Sequence, residues 1–263
     1  GVEDIPEVVM NAGLPWTWSS FPDYLDTLAA RQFDVDVATQ VPHAALRVFV
    51  MGERGANREE ATAEDRIEMA RLARDGVLAG AFGFSTSRLL QHRTAKGEPV
   101  PSYGAAEEEL AEIGDALAQV GRGWIQVVGD YGDAIDQEFG LLTRLAKRSQ
   151  RPLTLTLLQK NSDPDQWRDL LDRIATANND GLQITGQIRG RPTSTLLGFE
   201  LSENPFLGCA SWQELASLDI DARVAMLRDP NLRARLIAEP GRTSAQIKRL
   251  RDWERIFPFG DPP

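Results

Sequence analysis

A short apolar strand, Ala81 to Phe84, runs directly into groups that can bind anions or carry protons: Ser85, Thr86, Ser87, Arg88 and then His92. In an α/β barrel the C-terminal ends of the strands are where the active site lies, because the loops leaving them converge there. Small hydroxyls in that position hold a substrate carboxylate or cap the turn that follows. His43 and Arg47 form a second pair, after an alternating stretch that ends at Pro42. Two readings of His43 stand, a ligand or orienting group at a barrel mouth, or a hydrogen-bonded histidine that fixes a loop. Arg47 offers a rigid fork of donors suited to a carboxylate. It either holds a substrate carboxylate or pairs with one of the 39 acidic side chains. Gln159 and Gln187 close two later strands, where an amide side chain can orient a carbonyl or a water. Arg189 and Arg191 make a local positive spot suited to an anion, or belong to a solvated loop. Cys209 has no neighbouring histidine or acid to lower its pKa, which fits a buried, inert thiol.

These groups need a scaffold, and the chain supplies one by alternation. Ser20 caps a helix from about Phe21 to Arg31, with Pro22 in its first turn. Phe33 to His43 alternates as a strand does. Thr62, three residues before Asp65, opens a helix that runs to Leu78. Further helices are expected over about 105–120 and 134–149, and from a cap at Ser162 or Asp163 to about Asn178. Strands are expected near 35–41, 81–85, 124–128, 153–158 and 182–188. Strands alternating with helices of this length imply βαβ units and a parallel sheet. A closed barrel takes about eight strands over roughly 250 residues, and the remaining sequence turns helical instead, ending in an amphipathic helix over 244–256. The expected fold is therefore α/β: parallel (βα) units of a TIM-like barrel, incomplete at about five strands. Residues 1–200 form the partial barrel and 201–263 a helical extension packing on it.

Composition limits the partners. The formal charge of −10 argues against unaided binding to nucleic acid or an anionic membrane. No apolar run approaches the roughly 20 residues of a membrane helix. A single cysteine fits a reducing, cytoplasmic setting. Gly1 and Pro263 both read as cuts in a longer chain, and open sheet edges need cover from another copy or from the rest of that chain.

Several phrases of the chain are more specific than its periodicity: G-L-P-W near Gly13, F-P-D-Y-L-D from Phe21, V-P-H-A-A-L-R-V-F-V-M-G from Val41, G-A-F-G-F-S-T-S-R, and the closing I-F-P-F-G-D-P-P. Together they resemble the central section of the N-acyl-D-amino-acid deacylase (D-aminoacylase) group of amidohydrolases. The resemblance implies a TIM-like barrel, zinc as cofactor, and hydrolysis of a linear amide C–N bond in a small acylated substrate. An enzyme of this kind is expected to gather His43, Arg47, Ser85, Arg88, His92 and Gln187 in one substrate-binding cleft, with Arg191 as a further substrate-binding residue at the last strand's exit. The resemblance also implies that the family's His-x-His pair and cysteine ligand lie before the matched region, and a late aspartate beyond it. Two strands that end in histidine ligands in the active deacylases end here at Gln159 and Gln187. No metal ligand is therefore assigned in this chain, which is expected to be inactive alone. The alternatives are a catalytically degenerate barrel that binds a small acidic ligand, and a structural or assembly module built on the helical tail.

Overall fold

A computed structural model describes residues 7–94, 98–132, 134–160, 163–191, 194–201, 203–240 and 250–258. The chain forms two compact units, Gly1–Pro192 and Thr193–Pro263.

The first unit is built on a five-stranded parallel sheet in the order β1-β2-β3-β4-β5. The strands are β1 (Gln40–Pro42), β2 (Gly83–Ser87), β3 (Trp124–Val128), β4 (Leu153–Thr156) and β5 (Ile184–Gln187). Before the sheet come α1 (Glu7–Gly13) and α2 (Phe21–Ala29); α3 (His43–Met51), α4 (Glu53–Ala56) and α5 (Ala63–Ala79) lie between β1 and β2. One helix then links each successive pair: α6 (Glu107–Val120), α7 (Ile135–Ser149) and α8 (Gln166–Asn179). Strand order that never doubles back distinguishes this sheet from a doubly wound one, whose order reverses at a switch point. It is a sector of a (βα) barrel, left open because β1 and β5 each pair with a single neighbour.

Parallel register sorts the strand residues by face, because paired residues point the same way and neighbours along a strand point oppositely. Val41, Phe84, Ile125, Leu153 and Ile184 form one row across all the strands, and each is 1% exposed or less. Met69, Ala73 and Val77 of α5 pack with this row, as do Leu110, Ile113 and Leu117 of α6. Leu142 and Leu145 of α7 and Leu170 and Ile174 of α8 complete the same core. Each set recurs at three- or four-residue spacing, the apolar stripe of a helix lying on a sheet. The opposite row is polar: Ser85, Gln126, Thr154 and Thr185 are register partners.

Local signals set most helix starts. The Thr62 hydroxyl accepts from Asp65 N–H at 3.2 Å while Asp65 accepts from Thr62 N–H at 2.9 Å, a reciprocal cap. Ser20 and Asp23 do the same for α2. Other boundaries differ from expectation. The stretch from Phe33 is irregular until Gln40, and Val35 and Val37 stay exposed, because alternation alone provides no strand to pair with. His43 opens α3 instead of closing a strand. β2 begins two residues later than Ala81 and runs on to Ser87, taking in Thr86 and Ser87 beyond the end expected near residue 85. α8 starts at Gln166 with no side-chain cap, and Ser162 lies outside the described residues.

The second unit has α9 (Ala210–Ala216), α10 (Ile220–Leu227) and α11 (Pro230–Ala238) around Cys209, Trp212, Leu215, Leu232 and Leu236. Asp219 and Asp229 cap α10 and α11. Residues 244–249 of the amphipathic helix expected over 244–256 lie outside the described residues, and over 250–256 the chain forms only a single 3-10 turn, Trp253–Arg255.

Candidate functional site

The polar face of the sheet encloses an open hollow of about 500 Å³, lined by strand residues and the segments entering them. Ser85, Gln126, Thr154 and Gln187 face it beside the aromatic pair Phe82 and Trp124. The two rings stack with centroids 6.0 Å apart. Gln126 Nε2 donates to Gln187 Oε1 at 3.0 Å. That bond leaves the Gln126 carbonyl as an acceptor and the Gln187 amide nitrogen as a donor for a ligand. Among the described residues the lining carries no charged side chain. One row nearer the strand exits, the Ser87 hydroxyl bonds His92 Nδ1 at 2.7 Å.

On the helix side a second polar group is fully enclosed. His43 Nε2 lies 2.5 Å from Glu109 Oε1, and Nδ1 lies 2.8 Å from the Thr86 hydroxyl. A carboxylate only accepts, so Nε2 carries the proton and Nδ1 accepts from Thr86. Arg47 Nη1 donates to both Glu109 oxygens, at 2.8 and 2.6 Å, and Nη2 donates to the Glu59 carbonyl. His43, Arg47 and Glu109 are at most 2% exposed. Burial pushes the His43 pKa down, and Arg47 and Arg88 add to this against the pull of Glu109, so the ring is neutral. Burial works to raise the Glu109 pKa, but the bonds from His43 and Arg47 outweigh it and hold the carboxyl ionised. Arg47 and Glu109 are thus a charge pair, with His43 and Thr86 filling the remaining valences.

The expected single cleft is therefore divided. Ser85 and Gln187 face the hollow, whereas His43 and Arg47 are sealed behind the sheet. Arg88 also leaves the hollow: Nε pairs with Glu138 of α7 at 2.7 Å and Nη1 donates to the Ala105 carbonyl at 2.9 Å. His92 joins Ser87, and Arg191 is exposed in the segment after β5. Strand alternation is the physical reason: Thr86 points to the helices, Ser85 and Ser87 to the hollow. Gln159 is exposed and donates to the Pro164 carbonyl at 3.2 Å. Sequence reasoning missed Gln126 and Thr154, although the alternation W-I-Q-V-V and L-T-L-T placed both opposite the apolar row. It also missed Glu109, which nothing in the run Glu107-Glu108-Glu109 separates from its neighbours.

Zinc takes nitrogen, thiolate or carboxylate ligands. The hollow offers hydroxyls and neutral amides, and no group of three or more histidine, cysteine or acidic side chains able to hold a metal exists among the described residues. Both ring nitrogens of His43 are engaged elsewhere. The described residues do not fit a zinc centre.

A five-strand sector of a (βα) barrel with a polar concave face defines the class of protein. The chain belongs to the amidohydrolase family, whose model matches residues 6–256. It is 26% identical over 151 residues to the D-aminoacylase of Alcaligenes xylosoxydans xylosoxydans, covering 57% of this chain and 29% of that protein. Among solved structures it is similar to a D-aminoacylase studied for its binuclear metal centre, with TM-score 0.54 and 26% identity over 66% of this chain and 34% of the other. It also shares its fold with the zinc- and phosphonate-bound N-acyl-D-glutamate deacylase of Bordetella bronchiseptica, with TM-score 0.57, 21% identity, and coverage of 73% and 39%. The chain thus spans well under half the length of these relatives.

Proposed function

We propose that the protein containing this chain hydrolyses the amide C–N bond of a small acylated substrate, and that this chain forms a wall of the substrate pocket. The observation that carries the reading is the Gln126–Gln187 pair in the hollow, which leaves the Gln126 carbonyl and the Gln187 amide nitrogen to a ligand. A substrate amide presents the complementary set, an N–H for Gln126 Oε1 and a carbonyl for Gln187 Nε2. Ser85 and Thr154 add hydroxyls along the same face. Arg191, beyond the end of β5, serves the carboxylate of an acyl amino acid. His43, Arg47 and Arg88 act behind the sheet, by holding β1 and β2 against α3, α6 and α7. This reading draws on the D-aminoacylase relatives for the bond cleaved, and it places the protein in the cytoplasm, acting on a soluble small molecule.

A second reading has its own support: the β4 and β5 ends carry Thr156 and Gln187, uncharged groups suited to holding a ligand without cleaving it. One experiment separates the two. The full-length protein is assayed with a panel of N-acyl-D-amino acids, with its metal content measured and its melting temperature recorded for each compound. Turnover supports the hydrolase. Stabilisation without turnover supports a binding barrel, because a ligand specific to the native state raises stability by mass action. No turnover and no stabilisation with any compound overturns both.

A further inference from the structure

We propose that Ser87 and His92 form a nucleophile–base pair, a site of acyl transfer through a serine ester that is separate from the amide-binding hollow. Ser87 closes β2, two residues past Ser85 on the same face. Its hydroxyl lies 2.7 Å from His92 Nδ1, within the reach that proton transfer to a base requires. Both residues are half-buried, open to a reagent yet partly shielded from water.

The surrounding backbone fixes the pair. Ser87 is held in the sheet by pairing with Val128, and Ser102 Oγ donates to its carbonyl at 2.9 Å. His92 N–H donates to the Leu89 carbonyl at 3.1 Å, its own carbonyl accepts from Val100 N–H at 3.2 Å, and Arg93 bridges to Pro99 just beyond. A hydroxyl that only tied down a loop would need no strand on one side and bridged backbone on the other.

The step balances without a further reactant. Ser87 Oγ bonds to the carbonyl carbon of an ester or activated amide, and its proton passes to His92 Nδ1. As the bond to the leaving group breaks, the imidazolium returns that proton to the departing alcohol or amine. Water then attacks the serine ester, with His92 again taking and returning a proton, and the acid leaves. The ligand class is a small acyl compound with a good leaving group.

The test is covalent. The intact protein is treated with an alkyl fluorophosphonate, and the adduct is mapped by peptide mass spectrometry. We expect one adduct, on Ser87, formed at least about 100-fold more slowly in His92→Gln, the usual worth of a positioned base. Ser217→Ala, an exposed serine of the second unit, should label at the wild-type rate. A folded wild-type protein with no adduct on Ser87 overturns the proposal, and so does a His92→Gln protein that labels as fast as wild type. Mapping on the wild type decides the matter even if a variant fails to fold. N-acyl-D-amino-acid turnover is a separate readout: a Ser87→Ala protein that loses labelling but keeps turnover leaves both readings standing as separate sites, and a wild-type protein that labels on Ser87 but turns over no compound removes the hydrolase reading alone.

Discussion

Ser85 and Thr86 are adjacent in sequence and serve opposite faces of β2: Ser85 lines the open hollow, while the Thr86 hydroxyl bonds buried His43 at 2.8 Å. One strand therefore carries both the ligand-facing surface and the anchor that fixes it to α3 and α6. The two neighbours should separate cleanly on mutation. Thr86→Val leaves His43 Nδ1 buried without a partner and should cost about 1–3 kcal/mol. Ser85→Ala should leave stability within about 0.5 kcal/mol of wild type, as surface changes do, and act on ligand affinity instead. Urea unfolding of both variants, with ligand melting shifts, checks the division.

Glu109 is the hub of the buried network, accepting from both His43 and Arg47. Glu109→Ala strands the Arg47 guanidinium away from water and should cost about 3–5 kcal/mol, the effect of removing one partner of a buried ion pair. Arg47 already keeps one buried donor, Nε, without a partner. A double change, Arg47→Met with Glu109→Leu, should therefore recover much of the loss. A double-mutant cycle by chemical denaturation measures it, and purely additive costs would contradict the pairing.

The same network sets an acid limit. His43 has its pKa lowered in the folded state, first by burial. Below about pH 6.5 the unfolded imidazole takes up a proton that the folded one refuses, so stability falls as pH drops through that value. Glu109 is also lowered, so its contribution is present above about pH 4.3 and is lost as pH falls further. His43→Gln should flatten the stability curve between pH 6.5 and 5 and leave the steeper loss below 4.3 in place. Unfolding free energies measured across that range test the assignment; a His43→Gln curve parallel to wild type would refute it.

How far the sequence told this in advance depends on distance along the chain. The Thr62–Asp65 and Ser20–Asp23 caps were legible because each spans three residues. The parallel sheet was legible because apolar strands and amphipathic helices alternate. The face of Thr86 and Ser87 was not, because the expected strand stopped near Ser85: β2 runs on to Ser87, and alternation then sends Thr86 to the helix side with Phe84. His43 and Glu109 are 66 positions apart, and no local pattern marks one glutamate of three as its partner. Gln126 and Thr154 were within reach of period-2 reading, yet they carry no charge to draw attention.

Gly83 is required by the close approach of β2 to β3. A Cβ there would lie 2.0 Å from the Trp124 carbonyl oxygen and 2.5 Å from its nitrogen, and backbone on the facing strand cannot turn aside as a side chain can. Gly83→Ala should push the strands apart, disturb the Phe82–Trp124 stack and cost at least about 1–3 kcal/mol, as overpacking does. Gly13→Ala, with nothing within 4 Å of the new carbon, should be near neutral. Thermal unfolding and tryptophan fluorescence of the two variants provide the comparison.

Gln187 tests the hollow as a binding surface. It is exposed at the end of β5, and its side chain is tied down by Gln126. Gln187→Leu removes the donor proposed for the substrate carbonyl and leaves Gln126 Nε2 without its acceptor, while the strand's backbone pairing stays intact. Loss of one neutral hydrogen bond is worth about 0.5–1.5 kcal/mol, so affinity for an N-acyl amino acid should weaken by roughly 2- to 13-fold with little change in melting temperature. Gln187→Glu keeps the acceptor for Gln126 but places a negative charge in a hollow whose described lining has none. It should weaken an anionic acyl amino acid more than its neutral amide derivative, because only the former carries a like charge. Calorimetric titration of both ligands into the wild type and the two variants gives the comparison, and unchanged affinity of both ligands in both variants would remove Gln187 from the binding surface.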